Sequence, residues 1–78
     1  MLTHILLVDD EQDFLESLER GLLISGFRNI RVESDPRKAA VLFQQGEPVD
    51  IALIDITMPG MTGIELLDII RSSSPTTE

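Results

Sequence analysis

The chain has no cysteine, tryptophan or tyrosine, only six lysine and arginine residues together, and no apolar run of membrane-spanning length. Without cysteine there is neither a disulfide framework nor a thiolate metal site, so a reducing cytoplasm is the default compartment. Three phenylalanines are the only aromatics, and with 42% hydrophobic residues they describe an aliphatic globular interior, not a disordered tail. Fourteen acids against six bases leave a formal charge of −8. That charge repels phosphate backbones and anionic lipid, so direct nucleic-acid binding by this segment is not expected. Divalent cations or basic partner surfaces are the natural company, although an acidic excess also serves plain solubility. The opening "MLTHILLVDDE" lacks a basic leader region and meets acids after few apolar residues, so neither a signal peptide nor a membrane segment is expected.

What is present amounts to one small domain, because chains near 78 residues bury only about 60% of the surface they expose unfolded. "HILLV" at 4–8 is a short continuous apolar run, as expected of a strand buried on both faces of a parallel sheet. From Gln12 onward Phe14, Leu15, Leu18 and Leu22 recur at helical spacing, and Gly26 is placed to end a helix of roughly 13 residues as a left-handed cap. "NIRVES" at 29–34, β-branched at Ile30 and Val32, suits an edge strand. Asp35 followed by Pro36 marks an N-cap and first helical position. The second helix carries Ala39, Ala40, Leu42 and Phe43 on one face and stops at Gly46 and Pro48. "IALI" at 51–54 is the third strand. Thr62 and Glu65 stand in capping-box relation before a third helix whose Leu66, Leu67, Ile69 and Ile70 are expected to face inward, ahead of a polar turn in "RSSSPTTE".

The order βαβαβα implies parallel strands joined by right-handed crossovers, the α/β class. An α+β hairpin arrangement has no Asn-Gly or Asp-Gly turn between strand-like runs to support it. Asp9, Asp10 and Glu11 follow the first strand, and Asp55 ends the third. In open parallel sheets ligands bind outside the carboxyl ends of the strands, and a 2-1-3 order would bring Asp9, Asp10 and Asp55 together there. Singly, these acids have plain roles: complementing a helix dipole in its first turn, or forming a turn ahead of Met58 and Pro59. Converging, they repel one another unless a hard divalent cation neutralises them, and oxygen-only ligands point to Mg²⁺ or Mn²⁺.

Through "ILLVDDE" at 5–11, "LIDITMPGMTGIELL" at 53–67 and the separation between them, the chain resembles the receiver domain of two-component response regulators. The resemblance runs along all 78 residues. It implies a flavodoxin-like doubly wound sheet and a phosphoacceptor at Asp55. It also implies Mg²⁺ held by Asp10, Asp55 and the main-chain carbonyl of Thr57, with Asp9 helping through water. The partner would be a sensor histidine kinase or phosphotransfer protein, and the domain would act as a self-phosphorylating switch and not as a turnover enzyme.

The family's sheet has five strands in the order 2-1-3-4-5, whereas three are expected here, so residues 1–78 read as the first three βα units of a receiver. The family's Ser or Thr ending strand four and Lys ending strand five have no counterpart. Lys38, the single lysine, lies on the second helix. An unpaired third-strand edge would then invite homodimerisation, and a non-switching interaction module is the alternative function. A haloacid-dehalogenase-type phosphohydrolase would need an Asp where Thr57 stands. His4 lies about 16 Å back along the strand from Asp9, at the wrong end for the acids. Met58 and Met61 read as turn packing, and Arg28 and Arg31 as a solvated rim.

Overall fold

The computed structural model describes residues 3–55, 61–74 and 76–78. Six elements alternate along the chain: β1 (His4–Val8), α1 (Gln12–Ile24), β2 (Asn29–Glu33), α2 (Pro36–Gln44), β3 (Ile51–Ile54) and α3 (Gly63–Ser73). The strands form one parallel sheet in the order β2-β1-β3, with His4 opposite Asn29 and Ile5 opposite Ile51. This is the parallel α/β arrangement expected from the alternation, in the flavodoxin-like order that the resemblance implied.

β1 is central because its apolar run can be buried on both sides. Leu6 and Val8 point to a cluster with Ala39, Ala40 and Phe43 of α2 and Leu66 and Ile70 of α3. Ile5 and Leu7 point the other way, against Leu15 of α1, with Leu18, Leu22, Phe27, Ile30, Val32 and Ile51 around them. Among these, each fully buried Leu, Ile, Val or Phe side chain contributes about 1.5–3 kcal/mol.

The helix ends follow the local chemistry of the sequence. After α1, Gly26 adopts φ +102°, letting its N–H reach the carbonyl of Leu23 while the N–H of Phe27 reaches that of Leu22. After α2, Gly46 at φ +78° does the same, with bonds from Gly46 to Phe43 and from Glu47 to Leu42. Both are Schellman motifs, and glycine suits them because a Cβ is strained at positive φ. The Asp35 carboxylate accepts the Arg37 N–H at 2.9 Å ahead of Pro36. Thr62 and Glu65 complete a capping box at α3, with the Glu65 N–H 3.2 Å from Thr62 Oγ1.

Five expectations need correction. Leu67 is 39% exposed, since the stripe that meets the sheet runs through Gly63, Leu66 and Ile70, and the next residue around the helix turns outward. Phe14 is 52% exposed because Leu15, Leu18 and Leu22 fill the contact with the sheet. β2 ends at Glu33, one residue early, while α3 continues through Ser73. The C-terminal residues also dock on β3. The Glu78 N–H donates to the Asp50 carbonyl at 2.8 Å and the Ala52 N–H donates to the Glu78 carbonyl at 2.6 Å, which makes a parallel bridge opposite Ile51. Thr77 Oγ1 donates to the Val49 carbonyl at 2.6 Å, anchoring the segment. The outer edge of β3 is therefore covered at its start and lacks a strand partner beyond Ala52 among the described residues.

Candidate functional site

β1 and β3 end in register, with Val8 opposite Ile54, so the residues that follow them are neighbours. The Asp55 N–H donates to the Val8 carbonyl at 2.9 Å, and the Asp9 N–H donates to the Glu33 carbonyl at 3.3 Å. These ladder bonds hold the backbones of both aspartates at the carboxyl edge of the sheet. Asp9 is oriented further by accepting the Glu11 N–H on Oδ1 at 3.0 Å. Helix α1 begins only at Gln12, and its first-turn acid is Asp13. The helix-dipole role considered for Asp9 and Asp10 is thus taken by Asp13, and the two earlier acids lie in the turn before the helix.

Carboxylate oxygens of Asp9, Asp10 and Asp55 all lie within 4.8 Å of one another. Asp9 and Asp55 are half-buried and Asp10 is exposed. A pair of carboxylates at that distance repels by about 0.9 kcal/mol in bulk water and about 3.5 kcal/mol at an effective dielectric near 20. The geometry fits a hard divalent cation. Oxygens about 2.1 Å from Mg²⁺ in an octahedron stand about 3.0 Å apart when adjacent and about 4.2 Å apart when opposite, so a small inward movement of these groups closes the set. The donors are oxygen only, as such an ion requires.

Other acids and candidates stay outside. Glu33 also ends a strand, but its carboxylate accepts the Asp35 N–H at 3.1 Å and is not a member of the cluster. His4 sits at the opposite end of β1, as expected. Thr57, with Met58, Pro59 and Gly60, lies outside the described residues. One neighbouring feature was missed from the sequence. A groove of ≈ 260 Å³, lined by Phe14, Leu15, Leu18 and Leu53, opens beside Asp9 and Asp55. Phe14 lies at the margin of the α1 stripe that Leu15, Leu18 and Leu22 press against the sheet, and helical spacing alone did not separate it from them.

An open parallel sheet with an acidic, oxygen-only cluster at the carboxyl ends of adjacent strands defines a doubly wound α/β protein whose candidate site lies at its switch point. Residues 5–78 match the family described as the response regulator receiver domain, and the chain belongs to that family. It is 38% identical over 71 residues to a cyclic di-GMP phosphodiesterase of Thermotoga maritima, which covers 91% of this chain and 18% of that protein. It is 35% identical over 75 residues to the response regulator protein FleR of Pseudomonas aeruginosa, covering 96% of this chain and 15% of that protein. The crystal structure of a response regulator receiver domain protein from Clostridium thermocellum superposes with a TM-score of 0.85 at 25% identity, covering 97% of this chain and 60% of that one. The chain thus spans under a fifth of those two relatives and three fifths of that solved chain.

Proposed function

We propose that residues 1–78 form the first three βα units of a receiver that takes a phosphoryl group onto Asp55 from the phosphohistidine of a sensor histidine kinase or phosphotransfer protein. The convergence of Asp9, Asp10 and Asp55 at the ends of β1 and β3, in a chain of this family, carries the reading. A carboxylate oxygen of Asp55 attacks the phosphorus, the P–N bond to the histidine breaks, and an aspartyl phosphate forms. Asp10, Asp55 and the main-chain carbonyl of Thr57 would hold Mg²⁺ or Mn²⁺ there, with Asp9 helping through water. The bound ion supplies neutralisation of the charge on the transferring oxygens. The ladder bond from the Asp55 N–H to Val8 fixes the backbone from which the nucleophile projects, which limits the reorganisation needed for attack. The product is a mixed anhydride that later hydrolyses, so the domain works as a cytoplasmic switch. Its charge of −8 keeps this segment off nucleic acid.

The test is intact mass after incubation with Mg²⁺ and a small acyl-phosphate donor, alongside Asp55→Asn. A gain of one phosphoryl group in the wild type, lost in the variant and on chelation, is expected. Labelling that survives in Asp55→Asn would move the acceptor elsewhere.

A second reading, a non-switching interaction or dimerisation module, is favoured by one observation. The edge of β3 beyond Ala52 has no strand partner among the described residues, and Leu53 beside it is 46% exposed next to Phe14. That reading expects concentration-dependent association in light scattering that is indifferent to phosphodonor and metal. A strictly monomeric folded chain would remove it.

A further inference from the structure

The opposite end of the sheet carries a second site of different chemistry. A cavity of ≈ 380 Å³ opens there between the start of β1, the start of β2, the end of α2 and the loop at 47–49. Its size falls within the range of small-molecule sites. Its wall includes Leu6, Leu42 and Val49, and its mouth carries His4, Arg28, Asn29 and Arg31, with Glu47 as the one acid among the lining residues.

The charge is locally inverted. In a chain of net charge −8, three of the seven basic side chains line this one cavity. Both arginines are exposed, and neither makes a side-chain hydrogen bond or ion pair with another described residue. With fourteen carboxylates in the chain, two unpaired guanidiniums beside an apolar hollow are available to an external acceptor. Their backbone positions are set by β2: Arg31 pairs with Leu6 of β1, and Asn29 pairs with His4. Register therefore places Arg31 and Asn29 over the same face as Leu6 and His4. Arg is the side chain that meets a carboxylate or phosphate with a fork of parallel N–H donors.

We propose that this cavity binds a small organic anion, with Arg28 and Arg31 holding its oxyanion head and the half-buried Leu42 and Val49 accepting a short apolar body. The solvated rim expected from the sequence thereby becomes the polar mouth of a built hollow. The site is independent of the acidic cluster, lying at the other end of β1.

The test is a ¹⁵N–¹H correlation titration of the chain with benzoate and, separately, phenyl phosphate, with benzyl alcohol as the neutral comparison and sodium chloride at matched ionic strength. Saturable shifts confined to residues 4–6, 28–31, 42, 47 and 49 are expected for at least one anion, and the stronger of the two identifies the head group. Benzyl alcohol and the double variant Arg28→Gln/Arg31→Gln should each bind about tenfold more weakly or worse, the loss expected from removing a charge-assisted pair. Non-saturating or scattered shifts with both anions, equal binding of benzyl alcohol, or undiminished binding in a folded double variant would each overturn the proposal. If the double variant loses its dispersed spectrum, the wild-type comparison of benzoate with benzyl alcohol decides alone.

Discussion

Replacing Asp10 by Asn should stabilise the metal-free protein. Asp10 is the exposed member of a cluster whose three carboxylates have oxygens within 4.8 Å, so the change removes two repulsive pairs while leaving Asp9 and Asp55 in place. At that distance each pair costs about 0.9 kcal/mol in water. Screening at a Debye length of about 8 Å cuts the combined effect to about 1 kcal/mol, a floor, since Asp9 and Asp55 are half-buried in a less polar medium. For a domain of this size that corresponds to a rise in Tm of about 4–8 °C. The assay is thermal unfolding in EDTA, with Glu16→Gln, an exposed acid of α1 outside the cluster, as control. In 1 M salt the Debye length falls to about 3 Å and the gain should shrink to about 0.3 kcal/mol. Adding MgCl₂ should reverse the order, because an ion that binds the folded wild type stabilises it by about 2.7 kcal/mol at a hundredfold excess over Kd, and the variant lacks one of the proposed ligands. A metal-free variant no more stable than the control, or a gain untouched by salt, would refute the claim that these charges converge.

Phe43→Ala should cost about 3–5 kcal/mol, read as a shift in urea midpoint, because Phe43 is 1% exposed at the centre of the cluster joining α2, α3 and the sheet. A loss near that of an exposed residue would mean that this face is not packed as described. Thr77→Val should cost about 1 kcal/mol by removing the hydroxyl that bonds the Val49 carbonyl, and should speed amide exchange at Ala52, whose N–H is held by Glu78. Unchanged exchange at Ala52 would show that the C-terminal bridge does not depend on that anchor.

The covered start of β3 bears on both functional readings. Glu78 occupies the first rung of the outer edge in parallel register, and the stretch beside Leu53 and Ile54 has no strand partner among the described residues. Association of the kind the second reading proposes would therefore fall at the end of the strand nearest the acidic cluster, where Phe14 and Leu53 supply apolar surface. A partner there would sit against Asp9 and Asp55, so pairing and phosphodonor access would compete for one face.

Local chemistry along the chain was enough to determine every element: the apolar runs at 4–8 and 51–54, the caps at Asp35 and Thr62, and the glycine stops at Gly26 and Gly46. These signals are legible because each acts within a few residues through backbone dihedrals and hydrogen bonds. The acids of the site were legible too, since strand ends in a parallel sheet put Asp9 and Asp55 side by side once the order 2-1-3 is known. Tertiary structure alone decided which apolar residues face inward, turning Phe14 and Leu67 out, because that depends on the angle at which a helix lies on the sheet. It alone returned Glu78 to β3 and gathered His4, Arg28 and Arg31 around one cavity. Residues far apart in sequence meet through packing and strand register, and no short-range pattern encodes that meeting.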